Sequence, residues 1–237
     1  KFNLYRSRGT LAAPAVVATG DSVGALQFVG HTGAAYANVV SLSGVVDSVA
    51  GTAVGGRFEI TISNAAGGIG VRWRFYGDGS FVPALDATYN IGTSALRAAT
   101  VYASSGVVTT SDSREKTEVR EFTENELSAS KALAKEIGFF QFLGSVAAKG
   151  EDTARMHCGI TVQRAIEIME QYGLDPFRYG FICYDEWEAS TTTETGEDGE
   201  SLIVVVPAGS RYSLREGELA FFIAKGMDAR LTALEAR

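Results

Sequence analysis

This 237-residue sequence is short of most of the groups that announce an enzyme or a nucleic-acid binder. It has two histidines, His31 and His157, and two cysteines, Cys158 and Cys183, without a Cys-x-x-Cys spacing. That is too few nitrogen and sulfur ligands for a typical tetrahedral zinc site. The cysteines read as two buried free thiols, with a disulfide as the alternative. No apolar run approaches the ~20 residues of a membrane-spanning helix, so no membrane insertion is expected. Lys and Arg number 21 against 28 Asp and Glu, which leaves no cationic stripe for a phosphate backbone. Nucleic acid is therefore not an expected partner, and no metal or cofactor is expected either. The chain begins at Lys1 with neither a methionine nor a signal peptide, and reads as the C-terminal end of something longer.

What is present divides into two halves. A hydrophobic content of 46% suits a folded chain of one or two domains. Residues 1–111 are rich in Gly, Ala, Val, Ser and Thr, with seven basic and five acidic residues. The remainder, fourteen basic and twenty-three acidic, falls in residues 112–237. The domain boundary is accordingly placed between 111 and 112.

The first half predicts short strands punctuated by glycine. Phe58–Ile62 and Val71–Phe75 alternate at period two, which implies one buried and one wet face. Tyr76-Gly77-Asp78-Gly79-Ser80 is a hairpin-turn signal, and Pro14 and Pro83 suit segment edges. Strands this rich in small residues bury little apolar surface per chain and permit close approach of neighbours. An intertwined β-oligomer fits, and so does a monomeric β-sandwich.

The second half is patterned for helices. Thr123-Glu124-Asn125-Glu126 is a capping box, with Leu127, Leu133, Ala134 and Ile137 as the apolar stripe and Gly138 as the stop. A second helix is predicted over about 161–172, with Ile160, Ala165, Ile166 and Met169 as its stripe, ended by Gly173 and Pro176. Phe181–Tyr184 reads as a buried strand. Residues 188–201 read as a mobile loop, or as part of a long hairpin arm, leading into the strand 202–206 that Pro207 breaks. From Leu214 a last helix carries Leu219, Phe222, Ile223, Gly226, Met227, Leu231 and Leu234, close to a heptad seam. A packed monomeric helix and an oligomer seam fit it equally.

One stretch at the boundary has chemical potential. A serine hydroxyl becomes a nucleophile when a base removes its proton, and a neutral lysine can be that base. Ser111 and Lys116 are such a pair, with Arg114 placed to lower the lysine's proton affinity. Taken alone, the spacing is common and carries little.

The surrounding residues carry more. Ser111-Asp112-Ser113-Arg114-Glu115-Lys116 resembles the junction of the peptidase S74 family, Ser-Asp-x-Arg-x-Lys, at all four fixed positions. This family comprises the intramolecular chaperones at the C-termini of phage tail fibres, endosialidase tailspikes and neck appendages. His157-Cys158-Gly159-Ile160-Thr161-Val162-Gln163 resembles the family's His-x-Gly-hydrophobic-x-x-Gln segment, with Thr-Val where Ala often precedes Gln. Arg211-Tyr212-Ser213-Leu214 and the helix after it resemble the closing segment. Upstream, Asp86–Ser94, Arg97 and Val101-Tyr102-Ala103 resemble the β-domains of L-shaped siphophage tail fibres.

The resemblance implies an α+β chain: an intertwined trimeric all-β fibre tip over 1–111, then a mainly helical trimeric chaperone domain over 112–237 with a β-hairpin arm. It implies a homotrimer in the virion tail fibre, a chaperone that registers three chains and a single cut between Ser111 and Asp112. The released domain would stay in the host cytoplasm. Ser111 and Lys116 are the implied catalytic pair, with His157 as a further proton carrier or a structural histidine. Ser111 cannot readily attack its own carbonyl, which would need a four-membered ring; attack on the Thr110 carbonyl would cut one bond early. Water, or a serine from another protomer, would cut at the expected bond. The tip's expected partner is a bacterial surface polysaccharide or an outer-membrane receptor, with Tyr36, Trp73, Tyr76 and Tyr89 as available aromatics. A structural adhesin without proteolysis and a serine hydrolase acting on a separate substrate are the alternatives. The hydrolase lacks a Gly-x-Ser-x-Gly turn.

Overall fold

The computed structural model of this chain describes residues 2–64, 66–195 and 200–236. It divides into two compact units, one ending at Ile91 and one beginning at Gly92.

The first unit is a β meander. Two short strands, β1 (Arg8–Gly9) and β2 (Pro14–Ala15), pair with each other. Then β3 (Ser22–His31), β4 (Tyr36–Ala50), β5 (Ala53–Ser63), β6 (Ile69–Phe75) and β7 (Phe81–Pro83) form one antiparallel sheet in sequence order. The predicted 76–80 turn joins β6 to β7. Tyr76 N donates to Ser80 O at 2.9 Å, Gly79 N to Tyr76 O at 3.0 Å, and Ser80 N to Asp78 Oδ1 at 2.8 Å. Gly79 sits at φ +89°, a conformation that a side chain would strain.

The period-two alternation is present, yet its apolar face is open. Register aligns Leu26, Leu42, Ile60, Trp73 and Pro83 in one row across five strands, and Gly44, Phe58, Phe75 and Phe81 in the next. Among the described residues no second layer of this unit covers them, and Leu26, Phe28, Phe58, Ile62, Phe75 and Phe81 are all exposed. Some of the aromatics stack on each other: Trp73 on Phe81 at 4.4 Å and Phe75 on Phe81 at 4.5 Å between ring centroids. The opposite face is polar and better covered. There Arg57 pairs with Asp47 at 3.0 Å and with Glu59 at 2.8 Å, and Arg74 reaches Glu59 at 3.2 Å. A monomeric sandwich would bury the apolar rows against a second large sheet; here the one five-stranded sheet leaves Leu42, Ile60 and Trp73 half-buried and Leu26, Phe58, Phe75 and Phe81 exposed.

The second unit is a mixture of helix and strand rather than mainly helical. Its elements are α1 (Glu124–Leu133), β8 (Gly138–Phe140), α2 (Leu143–Lys149), β9 (His157–Gly159), α3 (Val162–Gln171), β10 (Ile182–Trp187), β11 (Ser190–Thr195), β12 (Ser201–Val206), β13 (Gly209–Leu214) and α4 (Glu216–Glu235). Its strands pair as three two-stranded ladders, β8–β9, β10–β13 and β11–β12. Leu133, Ala165, Ile168, Met169, Phe181 and Phe222 lie at the centre of the core, where α1, α3 and α4 meet.

Several boundaries differ from expectation. The Thr123 capping box forms, but α1 ends at Leu133 and Gly138 opens β8 instead of stopping the helix. The buried face of α1 is Glu126, Ala129, Ser130 and Leu133, while Ile137 is exposed. Small residues line that face because α4 packs very close to it. The helix predicted over about 161–172 forms as α3, with Thr161 as its N-cap, and Val162 and Ile168 join Ala165 and Met169 on its buried side. Phe181 and Ile182 are buried, but Tyr184, farther along β10, is exposed. Residues 190–195 are a strand, not a loop, paired antiparallel to 201–206; 196–199 fall outside the described residues. Leu214 closes β13, and the last helix begins at Glu216. Its first half buries Leu219, Phe222, Ile223 and Gly226, whereas Met227, Leu231 and Leu234 are exposed. No described helix is long and apolar enough to cross a membrane.

Candidate functional site

The junction residues come together through a tight reversal of the backbone. Residues 113–115 form one 3-10 turn, capped by Asp112 and left in extended geometry at Lys116. This brings Lys116 Nζ to 2.6 Å from Ser111 Oγ, a charge-assisted hydrogen bond between two exposed side chains. As an ammonium the lysine donates to the hydroxyl oxygen; as a neutral amine it is within reach of the hydroxyl proton.

Arg114 does not stand free beside the lysine. Its Nε lies 3.0 and 3.1 Å from the two Asp112 carboxylate oxygens, its Nη2 reaches Oδ2, and its backbone N donates to Oδ1 at 2.9 Å. The guanidinium, followed by the Arg114 backbone amide, holds the Asp112 carboxyl below the usual carboxylate range. The cation assigned to Lys116 by sequence is thus engaged by Asp112. This fork had no signal in spacing alone, because residues two apart face each other only when a turn folds them.

His157 lies on β9 beside Phe140 and Phe142, with ring centroids at 5.7 and 4.8 Å. Among the described residues no hydrogen bond joins it to Ser111 or Lys116. Cys158 is exposed and Cys183 half-buried, both as free thiols, so the disulfide alternative is not formed and full burial is not observed. Of the four candidate aromatics, Tyr36 is exposed and packs edge-on against His31 at 5.1 Å. Trp73 and Tyr89 are half-buried; Trp73 belongs to the apolar rows, Tyr89 lies 6.3 Å from it between ring centroids, and Arg72 donates to Tyr89 Oη at 2.9 Å. Tyr76 is half-buried in the hairpin turn. No group of His, Cys, Asp or Glu able to hold a metal occurs among the described residues.

A second polar constellation escaped sequence reading. Glu126, only 3% exposed, accepts from Arg120 Nη1 and Nη2 at 2.8 and 2.6 Å, from Thr123 N at 2.7 Å and from Tyr179 Oη at 2.9 Å. Arg120 is the main reason its carboxyl is lowered to about 2, against the opposing effect of burial. Tyr179 is correspondingly pushed up to about 12, by burial first and by the Glu126 anion next. The capping box was legible; the arginine and tyrosine that complete it come from outside the helix.

Known proteins resemble the chain across both units. Residues 111–174 match the family model Peptidase_S74, chaperone of endosialidase, whose first matched residue is Ser111. The side tail fiber protein pb1 of Escherichia phage T5 is 46% identical over 170 residues, 69% of this chain and 12% of that protein. The tail spike protein of Escherichia virus K5 is 37% identical over 145 residues, 60% of this chain and 22% of that protein. The solved carboxy-terminal domain of the bacteriophage T5 L-shaped tail fiber, with its intra-molecular chaperone domain, matches all of this chain and 59% of its own at a TM-score of 0.88 and 36% identity. The chain thus spans a small part of the curated relatives that it matches.

Proposed function

We propose, from the premise that this chain carries a Peptidase_S74-type chaperone domain homologous to those of phage tail-fibre and tail-spike proteins, a tail-fibre receptor-binding tip that is assembled and then released by its own C-terminal domain. The domain over 112–237 brings three chains into register and then cuts the bond between Ser111 and Asp112. The 2.6 Å contact between Lys116 Nζ and Ser111 Oγ, at the first residue of the family match, carries this reading.

The open apolar surfaces support the assembly step. Leu26, Phe28, Phe58, Ile62, Phe75 and Phe81 on the sheet, and Met227, Leu231 and Leu234 on α4, are exposed in one chain and suit burial by further copies. Interlocking chains must bring distant segments together before burial offsets the ordering entropy, so registration is slow. A domain with local helical contacts can associate first and raise the effective concentration of the rest. Removing it afterwards makes the assembled tip kinetically irreversible.

In the cleavage step a neutral Lys116 amine takes the proton of the attacking hydroxyl, which belongs to a water held by Ser111 and Lys116 or to Ser111 of a neighbouring copy. The oxygen adds to the Ser111 carbonyl carbon and forms a tetrahedral oxyanion. Collapse breaks the bond to the Asp112 nitrogen, which takes the proton from Lys116 and leaves as an amine. On the second route an ester to the neighbouring serine remains, and one water hydrolyses it. Both routes consume one water and leave a carboxylate at Ser111. The freed tip then binds a bacterial surface polysaccharide or an outer-membrane receptor, and the chaperone remains in the host cytoplasm.

Denatured intact mass of the wild type, Ser111→Ala and Lys116→Arg tests the reading. Two fragments meeting at Ser111/Asp112 are expected in the wild type and one full-length chain in each variant, since arginine keeps the charge but does not give up its proton. An uncut wild-type chain, or a cut Lys116→Arg chain, would overturn the proteolytic role.

A further inference from the structure

We infer that Asp112 and Arg114 are positioning residues for self-cleavage, because their fork holds the turn that carries Lys116 back to Ser111. The inference rests on the proteolytic reading above and assigns a task to two side chains that it leaves unused. Five residues of extended chain would set positions 111 and 116 roughly 17 Å apart. The observed 2.6 Å between their side chains therefore exists only while residues 112–115 stay folded.

The backbone alone does not secure that fold. The turn is a single 3-10 step whose closing bonds, Glu115 N to Asp112 O and Lys116 N to Ser113 O, measure 3.2 and 3.3 Å. An isolated turn of this kind has no cooperative partner and poor hydrogen-bond geometry. It has no buried residue to anchor it either. What remains is the Asp112 carboxylate. One of its oxygens accepts the Arg114 backbone amide as an N-cap would, and both receive the Arg114 guanidinium. A planar fork fixes two atoms of each partner at once, so it orients as well as attracts.

The location gives the fork a second task. Asp112 supplies the nitrogen that leaves, and its carboxylate belongs to the residue that directly follows the carbonyl where negative charge develops. An uncompensated anion there would oppose the oxyanion; paired with Arg114, it does not. Asp112 thus serves through Arg114 and the turn, and neither side chain needs to touch the reacting carbon.

The experiment follows first-order loss of full-length chain on denaturing gels after a pulse of cell-free translation. The wild type is compared with Asp112→Ala, Asp112→Asn, Arg114→Ala, Arg114→Lys and the double alanine variant, with assembly of each checked by size exclusion. Misplacing a reacting group by about an ångström costs on the order of a hundredfold, so Asp112→Ala and Arg114→Ala should each slow cleavage by roughly ten- to a hundredfold. The double variant should be no slower than the slower single, because both remove one device. Asparagine at 112 keeps the cap acceptor and should recover part of the rate. Lysine at 114 keeps the charge without the fork and should not. Arg114 is 87% exposed, so Arg114→Lys does not threaten folding and decides the matter if the alanine variants fail to assemble. Wild-type rates in Arg114→Lys and Arg114→Ala, with wild-type protein cutting normally, would overturn the positioning role alone. An uncut wild type would overturn the proteolytic reading and this inference with it.

Discussion

Gly226 of α4 lies against Ser130 of α1 with no room for a side chain between them. A Cβ built on Gly226 would overlap the Ser130 hydroxyl, approach Ser130 Cβ to 2.8 Å and stand 2.9 Å from the Lys131 backbone nitrogen. Ser130 is fully buried and donates its hydroxyl to Leu127 O at 2.9 Å, so it has nowhere to turn. This contact sets the distance between the helix that opens the second unit and the helix that closes it.

Gly226→Ala should therefore destabilise the second unit. Alanine gains about 1 kcal/mol of helix propensity, but overpacking against backbone typically costs about 1–3 kcal/mol, and the backbone nitrogen cannot move aside as a side-chain tip would. A lower midpoint in urea, followed by circular dichroism at 222 nm, is the expected result. A midpoint above that of the wild type would mean that α1 and α4 separate easily.

Acid should weaken the same unit through Glu126. Its carboxyl is lowered from an ordinary 4.5 to about 2, so the stabilisation is complete above pH 4.5 and is lost as the pH falls toward 2. Its size is on the order of 2–3 kcal/mol for a buried carboxylate with this many donors. Glu126→Gln should remove most of that dependence and lower the stability at neutral pH. Tyr179→Phe should cost about 1 kcal/mol, the net worth of one hydrogen bond. Equal slopes of stability against pH for the wild type and Glu126→Gln, between pH 4.5 and 2.5, would show that the network does not bear on folding.

The apolar rows of the sheet should report on assembly. Each buried phenylalanine contributes about 1.5–3 kcal/mol, counted once per copy in a symmetric interface. Phe75→Ser and Phe58→Ser should shift the tip from a trimer toward monomer at micromolar concentration in sedimentation velocity. Glu59→Gln on the opposite face should leave the oligomeric state as it is. A monomeric wild-type tip would reject the proposed burial of these rows.

Local chemistry was readable directly. The Thr123 capping box and the 76–80 turn each depend on atoms within four residues of one another, and they appear where the sequence places them. Ser190–Thr195 was harder. A polar Thr-rich segment becomes a strand because Leu202–Val206 pairs with it, a partner that lies across the residues between them. The α1 stripe matches at Leu133 and differs elsewhere: Ala129 and Ser130 are buried where Gly226 comes close from the far end of the chain, and Ile137 lies past the end of the helix.

The candidate site shows the same division. Residue types and order alone mark Ser111 and Lys116 as a candidate hydroxyl and base and place the change in composition beside them. None of those inferences needs coordinates, since each follows from which groups are present and how far apart along the chain they lie. Whether the hydroxyl and the amine meet depends on a backbone reversal held by Asp112 and Arg114. The apolar face of each strand follows from its alternation, but not whether another layer covers that face. Covering depends on how many sheets a unit contains, and the first unit has one main sheet. Such facts belong to tertiary structure because the energies that settle them come from groups distant in sequence, whose contacts the order of residues does not disclose.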